Sequence, residues 1–188
     1  KYKYFYFILY SFIALTILTS NKISADQKIK IIADEIQVNN DEGIIEAEGN
    51  AIADDQKNSK IKSDIIIYNE AQSLINAEGN VILNDIEGNT YFFDKLQSDD
   101  EMNHLEGNEV RARLEDGSRI VGSKMVKKEN LSNLSNAEYT PCLEDDYLIE
   151  NCPGWKLKAK NIFQDNENKT IYYDHARIHL FNIPVFYL

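Results

Sequence analysis

Ala77-Glu78-Gly79-Asn80 is the stretch that decides the fold, because close copies of it occur elsewhere in the chain. Ala47-Glu48-Gly49-Asn50 precedes it by 30 residues, and Leu105-Glu106-Gly107-Asn108 follows it by 28. Self-similarity at a fixed period of this size is typical of proteins built from stacked supersecondary units. The tetrapeptide therefore predicts repeated structural units that share one core.

The repeat extends beyond the tetrapeptide. Asp34, Asp64 and Asp94 are 30 residues apart, and Lys124 falls another 30 residues on. Each unit then has an apolar residue two positions after this anchor and a second one after a polar turn. These recurring apolar residues are Ile36, Ile44, Ile66, Leu74, Leu96, Met102, Val126 and Leu134.

Short segments rich in Ile, Val, Tyr and Phe alternate with clusters of Asn, Asp, Gly and Glu, which predicts strands joined by tight turns. Glycine tolerates a positive φ and marks a bulge or corner inside a strand. Repeated at one level, it would bend every strand alike. We predict an all-β fold of stacked antiparallel strands, a jelly-roll or open solenoid with an apolar trough. The pattern fits a closed sandwich with a filled core equally well.

The eight recurring apolar residues are the candidates for lining that trough. Because side chains on one face of a strand recur with period two, residues in register in successive units are expected to share a face. Plain core packing is an equally good interpretation for each of the eight.

The N-terminus has the pattern of a secretory signal peptide over residues 1–25. Lys1 and Lys3 precede an apolar run, Phe5–Leu18, and Ile23-Ser24-Ala25 supplies a small residue for cleavage. A retained membrane anchor is the alternative, although the run is shorter than the ~20 residues that span a bilayer. The net charge of −11 argues against nucleic acid as a partner, since phosphate binding needs a basic footprint.

Motifs for catalysis and for cofactor binding are missing from the sequence: it has no G-x-S-x-G, no P-loop and no H-E-x-x-H. His175 and His179 lie in a stretch that is predicted to be a strand, which would separate them by about 13 Å, too far to share one metal ion. We therefore expect neither an enzyme nor a metal or cofactor site.

Cys142 and Cys152 flank an insertion, residues 141–154, that interrupts the repeat. An exported chain meets an oxidising compartment, which favours a disulfide over a metal site. The two cysteines either pair with each other or bond to cysteines outside this sequence, and two free thiols are the alternative.

The residues around this insertion resemble a known family. Tyr139-Thr140-Pro141-Cys142, Cys152-Pro153-Gly154-Trp155, Ile171-Tyr172-Tyr173-Asp174-His175-Ala176 and Ile183-Pro184-Val185-Phe186-Tyr187 resemble the N-terminal periplasmic part of the LptD (OstA) family of outer-membrane lipopolysaccharide-assembly proteins. The upstream Ala-Glu-Gly-Asn repeat is similar to the OstA-type domain shared across that pathway.

The resemblance implies a non-enzymatic transport role at the periplasmic face of the outer membrane. It implies three partners: lipopolysaccharide, a periplasmic bridge protein of the same fold joined by edge-strand addition, and a lipoprotein plug that acts through a barrel. It also implies disulfides to that barrel. The corresponding domains are a signal peptide at 1–25, an OstA-type jelly-roll at 26–138, and the cysteine insertion with the last repeat at 139–188. The alternatives are a stand-alone bridge protein and a structural or adaptor module of the envelope.

Overall fold

The computed structural model describes residues 29–141 and 154–188, and within these residues thirteen strands form one antiparallel sheet. The predicted all-β fold of antiparallel strands is confirmed, whereas the predicted signal peptide lies outside the described residues. The strands are β1 Lys30–Ile32, β2 Glu35–Asn39, β3 Ile44–Asp54, β4 Lys60–Asn69, β5 Leu74–Asn84, β6 Thr90–Asp99, β7 His104–Arg113, β8 Arg119–Lys128, β9 Leu131–Thr140, β10 Trp155–Asp165, β11 Thr170–Asp174, β12 Arg177–Leu180 and β13 Ile183–Tyr187.

From β3 to β10, strands that follow one another in the chain are neighbours in the sheet. β1 and β2 both pair with β3, so together they act as one strand with a single interruption. In the same way, β11 and β12 both pair with β10 and act as one interrupted strand. The sheet runs without a break from β9 into β10. The predicted domain division at 138/139 therefore falls inside β9.

The turns alternate between the two ends of the strands. Turns at 40–43, 70–73, 100–103, 129–130 and 166–169 lie at one end, and turns at 55–59, 85–89 and 114–118 lie at the other. We call the strand halves next to the first set half-sheet A and those next to the second set half-sheet B. Polar side chains stabilise these turns: Asp55 Oδ1, for example, accepts from the Lys57 and Ser59 amides at 2.7 and 2.9 Å.

Between the two half-sheets, the repeated Gly-Asn forms a hydrogen-bonded corner. Gly79 and Asn80 have φ of 77° and 48°, and together they oppose a single residue, Asp64, on β4, which is a β-bulge. Asn80 Nδ2 donates to Asp64 Oδ2 at 2.8 Å. Gly49-Asn50 and Asp34 repeat the arrangement at 2.9 Å. The Asp series and the Glu-Gly-Asn series are thus two halves of one corner.

The corner changes which residues face inward. Buried positions step by two within each half-sheet, by three across the corner of β4 (Ser63 to Ile66), and by four where the bulge adds a residue (Ala77 to Val81). Both half-sheets therefore turn their apolar faces toward one interior and share one core. The largest fully buried apolar side chains are Ile61, Ile66, Ile75, Val81, Phe93 and Val110.

The third copy of the tetrapeptide does not form this corner, so the prediction that Gly107 bends β7 is wrong. The corner residue of β7 is Glu109, with φ of 52°, and β6 pairs with β7 without an extra residue. Gly107 is buried on the inner face instead, and a Cβ there would overlap with the ring of Phe93. The 28-residue spacing places this glycine two residues before the true corner, where it makes room for an aromatic ring.

We expect Gly79→Ala to lower the free energy of unfolding by about 2–3 kcal/mol, because an L-residue at positive φ costs ~1–2 kcal/mol and its Cβ would lie 2.5 Å from Asp64 Oδ2. Urea denaturation measures the change. Gly88→Ala is the matched control, since Gly88 has φ of 89° and 3.5 Å of clearance from Glu115. Equal costs for the two variants would show that the close approach at the corner contributes nothing.

We expect Gly107→Ala to destabilise the fold by about 1–3 kcal/mol through overlap with Phe93. Adding Phe93→Leu should recover part of this loss, although Phe93→Leu alone leaves a void and costs about 1 kcal/mol. A double-mutant cycle measures the coupling, expected at about 0.5 kcal/mol or more. Purely additive effects would contradict the close packing of Gly107 on Phe93.

Candidate functional site

The interior between the two half-sheets is the candidate site, because rows of inward-facing side chains cross the sheet there. In half-sheet A, ten residues from β2 to β11 pair in register and are all apolar or glycine; we call them the A row. Its members are Ile36, Ala47, Ile66, Ala77, Leu96, Gly107, Met125, Leu134, Ile162 and Tyr173.

A second apolar row crosses half-sheet B and faces the same interior; we call it the B row. It has eleven members in continuous register from β1 to β13, none of them charged. They are Ile31, Ala53, Ile61, Leu83, Tyr91, Ala112, Ile120, Tyr139, Leu157, Ile178 and Phe186.

The two rows are buried in the middle of the sheet and exposed at its ends. Ile66 and Ile61 are fully buried, whereas Ile36 at one end of the A row is 45% exposed and Tyr173 at the other end is 43% exposed. Phe186, at the end of the B row, is 67% exposed. The centre is therefore a filled core, and the same apolar face continues to both edges of the sheet.

A cleft of about 200 Å³ opens between the two half-sheets. Leu83 and Tyr91 line it from the B row, and Leu105 and Met125 line it from half-sheet A. The other eight of its twelve lining residues are polar or charged, so the cleft is of mixed character.

Charged groups stand at the mouth of this cleft. Burial raises the pKa of the Glu87 carboxyl, and a hydrogen bond to Asp85 and the charge of Asp85 raise it further, against the opposing charge of Lys127. Burial also raises the pKa of the Tyr91 phenol, with a further contribution from Asp85. Asp85 accepts from the backbone and side-chain nitrogens of Asn89, both at 2.8 Å. The mouth is thus a polar rim whose groups bind one another above an apolar floor.

The structure brings four of the eight predicted lining residues together. Ile36, Ile66, Leu96 and Leu134 all belong to the A row, and Met102 is buried in the turn that joins β6 to β7. The other three, Ile44, Leu74 and Val126, are half-buried on the opposite, outer face. They do not line the interior in this structure.

The outward position of Val126 has a specific cause. Ile66 and Leu96 are 30 residues apart because β5, which lies between them, carries the extra residue of the bulge. β7 has no such residue, so the next inward step is 29 and reaches Met125. Ile44 and Leu74 fall on the outer face because each immediately precedes an inward residue, Ile45 or Ile75, on its strand.

Sequence reasoning missed the B row, although a signal for it was present. Ile31, Ile61 and Tyr91 lie three residues before Asp34, Asp64 and Asp94 and repeat with the same 30-residue period. Counting back from Ile36, Ile66 and Leu96 by the three-residue step across the corner and then by two more residues would have found them.

The residues considered for metal or disulfide chemistry are not part of this interior. His175 has φ of 51° in the interruption between β11 and β12, not in a continuous strand as predicted, and its Nδ1 lies 2.5 Å from Asp174 Oδ1. Among the described residues, no cluster of three or more His, Cys, Asp or Glu side chains is placed to bind a metal ion. Cys142 and Cys152 lie outside the described residues.

Comparisons with known proteins find likeness at the level of structure and none at the level of sequence families. Neither a family model nor a curated protein matches the chain. The chain is similar to the solved structure of LptH from Pseudomonas aeruginosa, the LptA homologous periplasmic component of the lipopolysaccharide transport device. The identity is 10%, the match covers 77% of this chain and 80% of that chain, and the TM-score is 0.32. A structural likeness this weak does not show that the chain has the function of LptH. In the part of the chain that the structure describes, no helix is long and apolar enough to cross a membrane.

Proposed function

We propose that this chain is a non-enzymatic transport domain that carries lipopolysaccharide by its acyl chains along the interior between the half-sheets. The observation that carries the proposal is the pair of uninterrupted apolar rows that run from one edge of the sheet to the other. A core that served stability alone would not need to continue into exposed side chains at both edges.

The dimensions of the rows suit a lipid path. Ten inter-strand steps span about 48 Å, roughly three times the ~15 Å that the acyl chains of one bilayer leaflet span. Each CH₂ group moved from water onto such a surface gains ~0.8 kcal/mol, so a single acyl chain in contact with a row is held strongly without any polar contact.

The filled centre requires the half-sheets to separate when a chain enters. Four positions of the two rows are alanine: Ala47, Ala53, Ala77 and Ala112. Because alanine is small, it loses fewer packing contacts than a larger side chain does when the half-sheets move apart. The cleft at Leu83 and Met125 is already open, so we place the entry of the acyl chain there. Its polar rim keeps a hydrophilic head group at the surface while the chains lie within.

The finer assignment rests on the motif resemblance described above. We place the domain in the periplasm, in the N-terminal part of an outer-membrane lipopolysaccharide translocon, with Cys142 and Cys152 forming disulfides. Its partners would be a bridge protein of the same fold, which adds its edge strand to β2 or β13, and a lipoprotein plug bound through a barrel. A stand-alone periplasmic bridge protein fits the same sheet.

A second candidate function is a structural or adaptor module of the envelope. The buried centre of both rows, with Ile61 and Ile66 fully buried, favours this candidate because a filled core needs no ligand. The two candidates differ in whether the exposed ends of the rows contact lipid.

Site-specific photo-crosslinking in cells separates them. We expect probes at Ile36 and Tyr173 to label lipopolysaccharide, because both are exposed ends of the A row. The matched controls are their sequence neighbours Gln37 and Tyr172, which point to the outer face of the same strands, are also exposed, and should not label.

The contrast between neighbours is the decisive readout. Equal labelling from Ile36 and Gln37 would mean that lipid contacts the protein non-specifically, and the conduit proposal would fail. If none of the four probes labels lipid while each still crosslinks to protein, the adaptor function is favoured instead.

A further inference from the structure

The outer surface of half-sheet B carries a concentration of positive charge, although the chain as a whole has a net charge of −11. Two rows of outward-facing residues cross it in register, and together they contain eight Lys and Arg side chains against two carboxylates, Asp54 and Glu138. The row next to the turns contains Lys30, Lys60, Arg113 and Arg119. The neighbouring row contains Lys62, Arg111, Lys158 and Arg177. We call this surface the basic face.

The outer surface of half-sheet A has the opposite charge. The two outward rows nearest the corner contain two lysines, Lys95 and Lys124, against six carboxylates. These are Glu35, Glu46, Glu48, Glu78, Glu106 and Asp174. The fold therefore separates the charges of an acidic chain onto two different faces.

The basic face places like charges directly opposite each other. Arg113 pairs in register with Arg119, and Lys158 pairs with Arg177. Lys158 also pairs with Glu138 at 2.7 Å, and the Arg177 guanidinium lies 5.4 Å from the centre of the Tyr187 ring.

Apolar side chains stand among these cations on the same face. Ile32, Phe92, Val121 and Tyr187 belong to the same row as Lys62, and all four are exposed. Aromatic side chains are enriched where proteins meet the membrane–water interface, and Lys and Arg are attracted to anionic lipid head groups. The combination matches the chemistry of an anionic bilayer surface.

We propose that the basic face docks on the surface of a membrane that contains anionic phospholipid. Its rows cross from β1 to β12, a width of roughly 45 Å, so the charge is spread over a broad sheet face rather than gathered in a pocket. This inference goes beyond the proposed function and does not depend on what the interior binds. It would hold the half-sheets beside a bilayer, with the acidic face directed away from it.

A second copy of this chain is the competing occupant, since its acidic face is also anionic. That face is partly neutralised from within, because Lys95 contacts Glu78 at 2.9 Å and Lys124 pairs with Glu106. It therefore has less negative charge to offer than an uninterrupted layer of lipid phosphates, and the bilayer is the better match.

Vesicle co-sedimentation of the full chain tests the proposal. The probes are vesicles of phosphatidylcholine alone and of phosphatidylcholine with phosphatidylglycerol, and the readout is the ratio of the two affinities. The N-terminal segment carries Lys1 and Lys3 and favours anionic vesicles by itself, but it is identical in every variant, so comparing this ratio between variants isolates the basic face. We expect Lys62→Glu with Arg111→Glu to reduce the preference for the anionic vesicles about tenfold or more.

The matched control is Lys95→Glu with Lys124→Glu on the acidic face. It makes the same change in net charge at exposed positions, and exposed ion pairs contribute little to stability, so both double variants should fold. This control should keep the wild-type preference within about twofold. Circular dichroism checks folding, and the loss of wild-type binding as salt rises provides a measurement that needs no variant.

Three results would overturn the proposal. The first is a wild-type ratio of one between the two vesicle types, and the second is an equal loss in both double variants. The third is self-association in sedimentation equilibrium that Lys62→Glu with Arg111→Glu abolishes while vesicle binding is unchanged, which would assign the face to a second copy.

Discussion

The hydrogen bond from an asparagine amide to an aspartate carboxylate at the strand corner is the contact on which the rest of the structure depends. It joins Asn80 to Asp64 and Asn50 to Asp34, each beside a glycine at positive φ. A flat sheet of this composition would leave one apolar face in water. Because the corners recur at one level, the sheet folds over and buries that face against itself, without a second domain or a helix in the described residues.

The corner also decides the chemistry of the interior. Inward positions step by three or four residues across it, so the A row and the B row both face inward even though they lie on different halves of the same strands. The result is a continuous apolar surface that is buried at the centre and exposed at the sheet edges. Continuity toward both edges is the property that would suit a conduit, and because the centre is buried, any ligand that entered would have to replace contacts between side chains.

Net charge proved a poor guide to the surface of this protein. An excess of acidic residues keeps a chain soluble and argues against nucleic acid, but it says nothing about how charge is distributed in space. The half-sheets gather most of the exposed carboxylates of their strands on one outer face and most of the cations on the other. The basic face arises because outward positions of half-sheet B, such as Lys62 and Arg111, align in register although they are 49 residues apart in the chain.

The sequence by itself determined the fold class, the repeat and the corners at Gly49 and Gly79, because each depends on local chemistry: β-forming segments, polar turns, and a glycine that tolerates positive φ. Four of the eight lining residues that it proposed, Ile66 and Leu96 among them, lie in the A row. Only the tertiary structure decided the outward position of Val126, the role of Gly107 beside Phe93, the B row and the basic face. These depend on the register between strands, and one bulge residue more or fewer moves every later side chain to the other face.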